Sequence, residues 1–173
     1  MAVPPASLYR KSPDFTIIQP SGAQTLLSSF NGKVVVLEFL FIRSPHCLRV
    51  AQTLNKLQEE LGPRGFQSVG IVFGPDASGS AVANLIHYLK LSYPVGYSSA
   101  GEVDAYLGRG EKEILKIPQV VVIDRMGIIR AASGTRGEPD LENESPLRNL
   151  LDTLLKEPAP KGTGKNARFS PKS

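Results

Sequence analysis

Lys33-Val34-Val35-Val36-Leu37-Glu38-Phe39-Leu40-Phe41-Ile42-Arg43-Ser44-Pro45-His46-Cys47 reads as a buried strand running into the first turn of a helix. Val34 to Leu37 is apolar and rich in β-branched residues, with no alternation. A strand with one wet face alternates, whereas one covered on both faces does not. This is therefore a central strand, and it calls for helices on both sides. Glu38 interrupts the apolar run. Ser44-Pro45 then opens a helix. The serine hydroxyl can accept from an N–H that would otherwise go unpaired, and proline at the first helical position lacks such an N–H.

Downstream, Cys47, Val50, Ala51, Leu54, Leu57 and Leu61 recur at helical spacing, with Arg49, Lys56, Glu59 and Glu60 on the other face. Gly62-Pro63 stops this helix. Phe66 to Phe73 is a second strand, and Gly74-Pro75-Asp76 turns. Ser80 to Leu91 is an amphipathic helix, Tyr93 to Tyr97 a short extended piece and Glu102 to Leu107 a short helix. Gln119 to Asp124 is another buried strand. It turns through Arg125-Met126-Gly127 into Ile128 to Ala132, which reads as a hairpin. Ser145 to Lys156 is a last amphipathic helix.

Upstream, Asp14 to Ile18 is a short strand ended by the turn sequence Gln19-Pro20-Ser21-Gly22, and Thr25 to Phe30 is one helical turn. Residues 1–13 carry three prolines and read as an extended arm; 14–156 form the domain; 157–173 form a disordered basic tail. Strands separated by helices predict parallel pairs, with the terminal hairpin as an antiparallel edge. The fold class is α/β, a mixed central sheet in a three-layer α/β/α sandwich.

Composition narrows the function. The 173 residues, 41% hydrophobic, suffice for one core, and no apolar run is long enough to span a membrane. Of the net charge of +4, the segment from Glu157 onward holds +3, from four cations and one carboxylate. The folded body is left with no basic face of the kind nucleic acid requires. One cysteine excludes an intrachain disulfide and a thiolate zinc site, and His46 and His87 are too few for a metal cluster. No cofactor or metal is expected. Met1-Ala2-Val3-Pro4-Pro5 has neither a basic nor an apolar leader segment and is not a signal peptide. The compartment is cytoplasmic, or exported if a leader was removed.

Three motifs, in this order and spacing, resemble the thioredoxin superfamily, specifically its TlpA/ResA-type redoxin branch, related to the AhpC/TSA proteins. They are Gly32 to Phe39, Pro45-His46-Cys47, and Ile117-Pro118 running through Gln119-Val120-Val121-Val122-Ile123-Asp124 to Gly127. The resemblance spans most of the chain from Pro13. It implies a thiol–disulfide oxidoreductase whose motif is Trp-Cys-x-x-Cys at the helix start. Here Arg43 stands at the tryptophan position, Ser44 at the attacking cysteine, and only the second cysteine, Cys47, remains. Pro118 matches the family's cis-proline, and Glu38 matches a buried acidic residue that assists proton transfer. Arg43, Pro45, His46 and Ile117 would line the binding groove.

The departures limit the chemistry. Disulfide exchange needs an attacking thiolate and a second thiol to release the mixed disulfide. A serine hydroxyl supplies neither. Cys47 is then either a thiolate favoured by the helix N-terminus or a buried core residue on the apolar stripe. Ser44 is a helix cap or a remnant of the motif. Glu38 either pairs with a cation such as Lys33, Arg43 or a neighbouring-strand lysine, or carries a proton at a raised pKa. His46 is a solvent-facing turn residue, Pro118 a rigid lead into its strand, and His87 has no role.

Three functions fit. The first is a redoxin acting through Cys47 alone, forming mixed disulfides with a protein or small-molecule thiol. The second is a non-enzymatic binding module that uses the old groove. The third is a one-cysteine peroxidase, since Ser44-x-x-Cys47 matches the peroxiredoxin spacing of Ser or Thr before the reactive cysteine. The peroxiredoxin proline would fall at Leu40, however, and its arginine near Pro118.

Overall fold

In a computed structural model of the chain, describing residues 8–110, 112–134 and 140–161, β3 (Val34–Leu40) is buried at every position. β4 (Phe66–Val72) pairs with it in parallel and β6 (Gln119–Ile123) antiparallel. The other strands are β1 (Thr16–Ile18), β2 (Gln24–Leu26), β5 (Val95–Tyr97) and β7 (Ile129–Ala132). They complete one mixed sheet of order β2-β1-β5-β4-β3-β6-β7. The predicted central strand is therefore central, and the predicted hairpin is β6–β7.

Two expectations need correction. Thr25 and Leu26 are not helical: they belong to β2, which pairs with β1 through the turn at Gly22, and only Leu27–Phe30 forms a 3-10 turn. Gly22, at φ 91°, adopts the left-handed conformation that lets the chain reverse there. Second, β6 is antiparallel to β3, although a helix precedes it. β5 ends with Tyr97 beside Val72, at the C-terminal edge of the parallel strands. β6 begins with Gln119 beside Phe39, at the same edge. The connection leaves and returns to one end of the sheet, so β6 must run the other way.

Helices cover both faces. α1 (Pro45–Leu61), α2 (Gly79–Leu89) and α4 (Glu144–Leu155) bury their apolar stripes against Val34, Val36, Leu40, Val72 and Val120. In α1 the buried residues are the six picked out by their spacing, Cys47 among them. α3 (Ala100–Leu107) covers the opposite face with Val103 and Tyr106, beside Phe15, Leu37, Phe39 and Val121. Residues 9–12 run along β7: the Tyr9 N–H donates to the Ile129 carbonyl and the Ile129 N–H to that of Arg10. Glu157 meets Arg130 at 2.7 Å; residues 1–7 of the expected arm and 162–173 of the expected tail lie outside the described residues.

At the end of the sheet away from Ser44, Arg125 in the β6–β7 turn holds three chain segments. Its guanidinium donates to the carbonyls of Gly32 (3.1 Å), Arg64 (3.0 Å) and Leu155 (3.1 Å). A planar fork of donors can serve several acceptors at once; an ammonium cannot match that geometry. Arg125→Met should lower the unfolding free energy by about 2 kcal/mol, and Arg125→Lys should recover less than half of it. Urea denaturation of the three proteins measures this.

Candidate functional site

Ser44 ends the β3–α1 loop in an extended conformation, and its Oγ accepts the Cys47 N–H at 3.2 Å. Pro45 follows in the first helical position, so the cap predicted from Ser44-Pro45 is present. This cap turns the third residue of the helix inward. Cys47 has no exposed surface. Burial pushes its thiol pKa up; hydrogen bonding by the Ser44 side chain and the Phe41 backbone works the other way and is outweighed, and the carboxyls of Glu38 and Glu142 add to the rise. The helix N-terminus thus does not produce a thiolate here. Of the two roles open to Cys47, the structure places it in the core.

Glu38 shares the parity of Val34, Val36 and Leu40 and so faces the α1 layer. It has no exposed surface, and neither carboxyl oxygen has a hydrogen-bond partner among the described residues. The expected cation is not there. Its cross-strand neighbours are Gly70 and Val120, Arg43 pairs with Asp76, and Lys33 is exposed beyond the start of the strand. Burial holds the Glu38 pKa well above the ordinary carboxylate value, with a smaller contribution from Glu142. Ionising the group in apolar surroundings without a partner is costly, so the protonated form is favoured. Nearby Tyr93 donates its hydroxyl to the Ala51 carbonyl at 3.2 Å, and its pKa is raised well above normal by burial first and by Glu38 second.

The rim is polar. His46 is exposed; its Nε2 meets the Glu142 carboxylate and its Nδ1 lies 3.1 Å from Arg49 Nη2. A guanidinium only donates, so Nδ1 accepts and the proton sits on Nε2. Arg43 Nε pairs with Asp76 at 2.9 Å, linking the β3–α1 loop to the β4–α2 loop. Between these loops lies an open cleft of about 260 Å³ lined by Phe41, Ile42, Ser44, Phe73 and Pro75. Gly74, at φ 94°, brings its loop so close to Phe41 that an added Cβ would stand 3.0 Å from the ring.

The Ile117–Pro118 peptide bond is cis. Gln119 stands opposite Phe39, so Pro118 lies at the end of the sheet from which Phe41 to Ser44 emerge. Pro118 is buried, and half-buried Ile117 touches both core clusters. The fold thus gathers Glu38, Arg43, Ser44, Pro45, His46, Cys47, Ile117 and Pro118 at one end of the sheet. His87 is exposed on α2 and takes no part. Glu142 and Asp76 belong to the site but escaped the sequence reading. Each sits in an irregular segment with no periodic or motif signal of its own. Among the described residues no group of three side chains could hold a metal, and no helix is long and apolar enough to cross a membrane.

A mixed sheet between helices, a helix-capping Ser-x-x-Cys and a cis-proline facing the same end define a thioredoxin-like protein of the thiol–disulfide oxidoreductase type, with one cysteine of the usual pair. The model of the Redoxin family matches residues 10–151, and the chain belongs to that family. Among solved structures it is similar to a protein from Bacteroides thetaiotaomicron proposed to be a protein disulfide isomerase. That match has 26% identity and a TM-score of 0.71, covering 88% of this chain and 92% of the other. A thioredoxin-family thiol:disulfide interchange protein from Chlorobium tepidum matches at 22% identity and TM-score 0.69, over 86% and 98% of the two chains. A thiol:disulfide interchange protein from Bacteroides sp. matches at 20% and 0.70, over 87% and 91%. No curated protein matches the sequence.

The raised pKa of Glu38 makes stability depend on pH. Its folded value lies above its unfolded one, so the stability contributed by the protonated form is complete below the ordinary carboxylate range. It is lost as pH rises through the folded value. Glu38→Gln removes this loss. Relative to the wild type, the variant should gain about 2 kcal/mol or more between a pH below the ordinary carboxylate range and a pH well above it. Urea unfolding of both proteins across that range measures the gain; a constant difference would show that Glu38 does not titrate this way.

Proposed function

We propose that this redoxin-family protein is a binding module that keeps the thioredoxin groove and has lost the dithiol reaction. The observation that carries this reading is the state of its only thiol: Cys47 has no exposed surface, and Ser44 stands where an attacking cysteine is required. A mixed disulfide forms by in-line approach of one sulfur to another. A buried, protonated Cys47 meets neither the access nor the ionisation that this needs, and the same facts count against a one-cysteine peroxidase.

In this reading Arg43, Pro45 and His46, all exposed, form one rim of the groove and half-buried Ile117, beside Pro118, the other. Arg43 presents a cation where the family resemblance places an aromatic ring. The backbone N–H and carbonyl of Ile117 have no partner among the described residues and lie outside any strand. An extended polypeptide laid along this edge would satisfy both groups. The proposed partners are therefore protein segments, in line with the protein disulfide isomerase name of one structural neighbour.

Intact mass after incubation with oxidised glutathione tests the redox half of this reading. The native protein should stay unmodified over the time in which the urea-unfolded protein gains one adduct. An adduct on the native protein would return the single-thiol reading. For the binding half, immobilised wild type and Cys47→Ser should capture the same proteins from extract, and Arg43→Ala with Ile117→Asp should lose them. Capture that disappears with Cys47→Ser would sink the module reading. Ser44→Cys supplies the missing thiol and should confer disulfide reductase activity on insulin that the wild type lacks. No gain would mean that the scaffold no longer positions the pair.

A further inference from the structure

Leu141 lies outside every helix and strand, yet only 2% of its surface is exposed. It belongs to the buried cluster that contains Cys47, Leu40, Val120 and Leu147. A large apolar side chain buried from a loop seals the core at that point. The next residue, Glu142, reaches back to His46, which directly precedes Cys47 in the first turn of α1. Asp140 shapes the segment: its carboxylate accepts the Glu142 N–H at 3.3 Å and the Asn143 side-chain amide at 2.9 Å. Asn143 is the residue at the start of α4. One short segment thus plants an apolar plug in the Cys47 side of the core and ties it to the rim beside that cysteine.

Two groups with chemistry of their own share the α1 side of the sheet with Leu141. Cys47 and Glu38 are both fully buried on the α1 side of the sheet, and the charge of Glu142 is felt at both. The oxygens of Glu38 have no partner among the described residues. This pairing of a closed thiol with an unused buried carboxyl goes beyond the groove-binding reading, which needs neither.

We propose that Leu141 and Glu142, latched to His46, form a releasable cover over Cys47 and Glu38, and that release of this cover without unfolding of the domain opens the thiol to solvent. The latch suits release. His46 and Glu142 are both partly exposed, and a polar contact open to water is weak. The plug is one side chain on a loop, and local opening of such segments is cheaper than global unfolding.

The test uses the full chain and methyl methanethiosulfonate. The Cys47 sulfur, once deprotonated to solvent, attacks the reagent's divalent sulfur. A new S–S bond forms, the reagent's own S–S bond breaks, and methanesulfinate leaves. Labelling rates are followed by intact mass under native conditions, with urea stability measured for each protein. Glu142→Gln and His46→Ala should each label about fivefold faster than wild type, the factor a surface latch can supply. Glu60→Gln removes a contact between α1 and α4, that with Arg148, and should leave the rate unchanged. Acceleration in both latch variants, beyond any change in global stability, supports the cover. Acceleration in neither, or in only one, overturns it; Glu142→Gln alone would signal relief of charge on the thiol. Rates that follow global stability across all four proteins also overturn it, because the thiol would then be reached only by unfolding.

Discussion

Burial of β3 on both faces is the constraint on which the rest of the structure depends. Seven consecutive residues without access to water require helices above and below, and neighbouring strands on each side to take up every backbone hydrogen bond. The same burial decides the chemistry of whatever polar group the strand carries. Glu38 is set between Gly70 and Val120, where an ionised carboxylate would have neither water nor a cation. The protonated form is therefore favoured; where Glu38 does ionise, its charge adds an upward push to the Cys47 thiol and the Tyr93 hydroxyl, which burial has already shifted.

The helix that follows shows how one local interaction can serve opposite ends. Capping by Ser44 satisfies a backbone donor at the start of α1 and fixes the rotation of its first turn. That rotation sends Cys47 into the core and leaves His46 outside. With a cysteine at position 44, the outer member of the pair would stand at the mouth of the groove. With serine there, the helix start keeps its geometry and loses its nucleophile. The retained cis-proline, the cleft beside Phe41 and Phe73, and the exposed Arg43 are features of a surface, and they do not depend on sulfur chemistry.

Much of this was legible in the chain because it is carried by local patterns. The apolar run of β3, the Ser-Pro helix start, the stripe from Cys47 to Leu61 and the turn at Arg125-Met126-Gly127 each express a period or a cap that acts over a few residues. The misread segments are those where neighbours decide. Thr25 and Leu26 lack a strong period, and they become a strand because β1 offers an unpaired edge. The direction of β6 depends on where a long connection returns, which no short pattern encodes. Asp76 and Glu142 joined the site for a similar reason. Glu142 lies 96 residues from His46 in sequence and meets it only because α4 packs beside α1.

The sequence by itself determined the family, the layers of the fold and the absence of a second thiol, since these follow from composition, spacing and the identity of residues 44 and 47. It left the condition of Cys47 and Glu38 undecided. Whether a cysteine at a helix start is a thiolate, and whether a carboxyl in a strand finds a cation, depends on solvent access and on groups distant in sequence. The tertiary structure answered both questions in the same direction, leaving thiol and carboxyl buried with the protonated form favoured in each, because the same apolar layers that hold β3 at the centre of the sheet exclude the water and the counter-charges that ionisation requires.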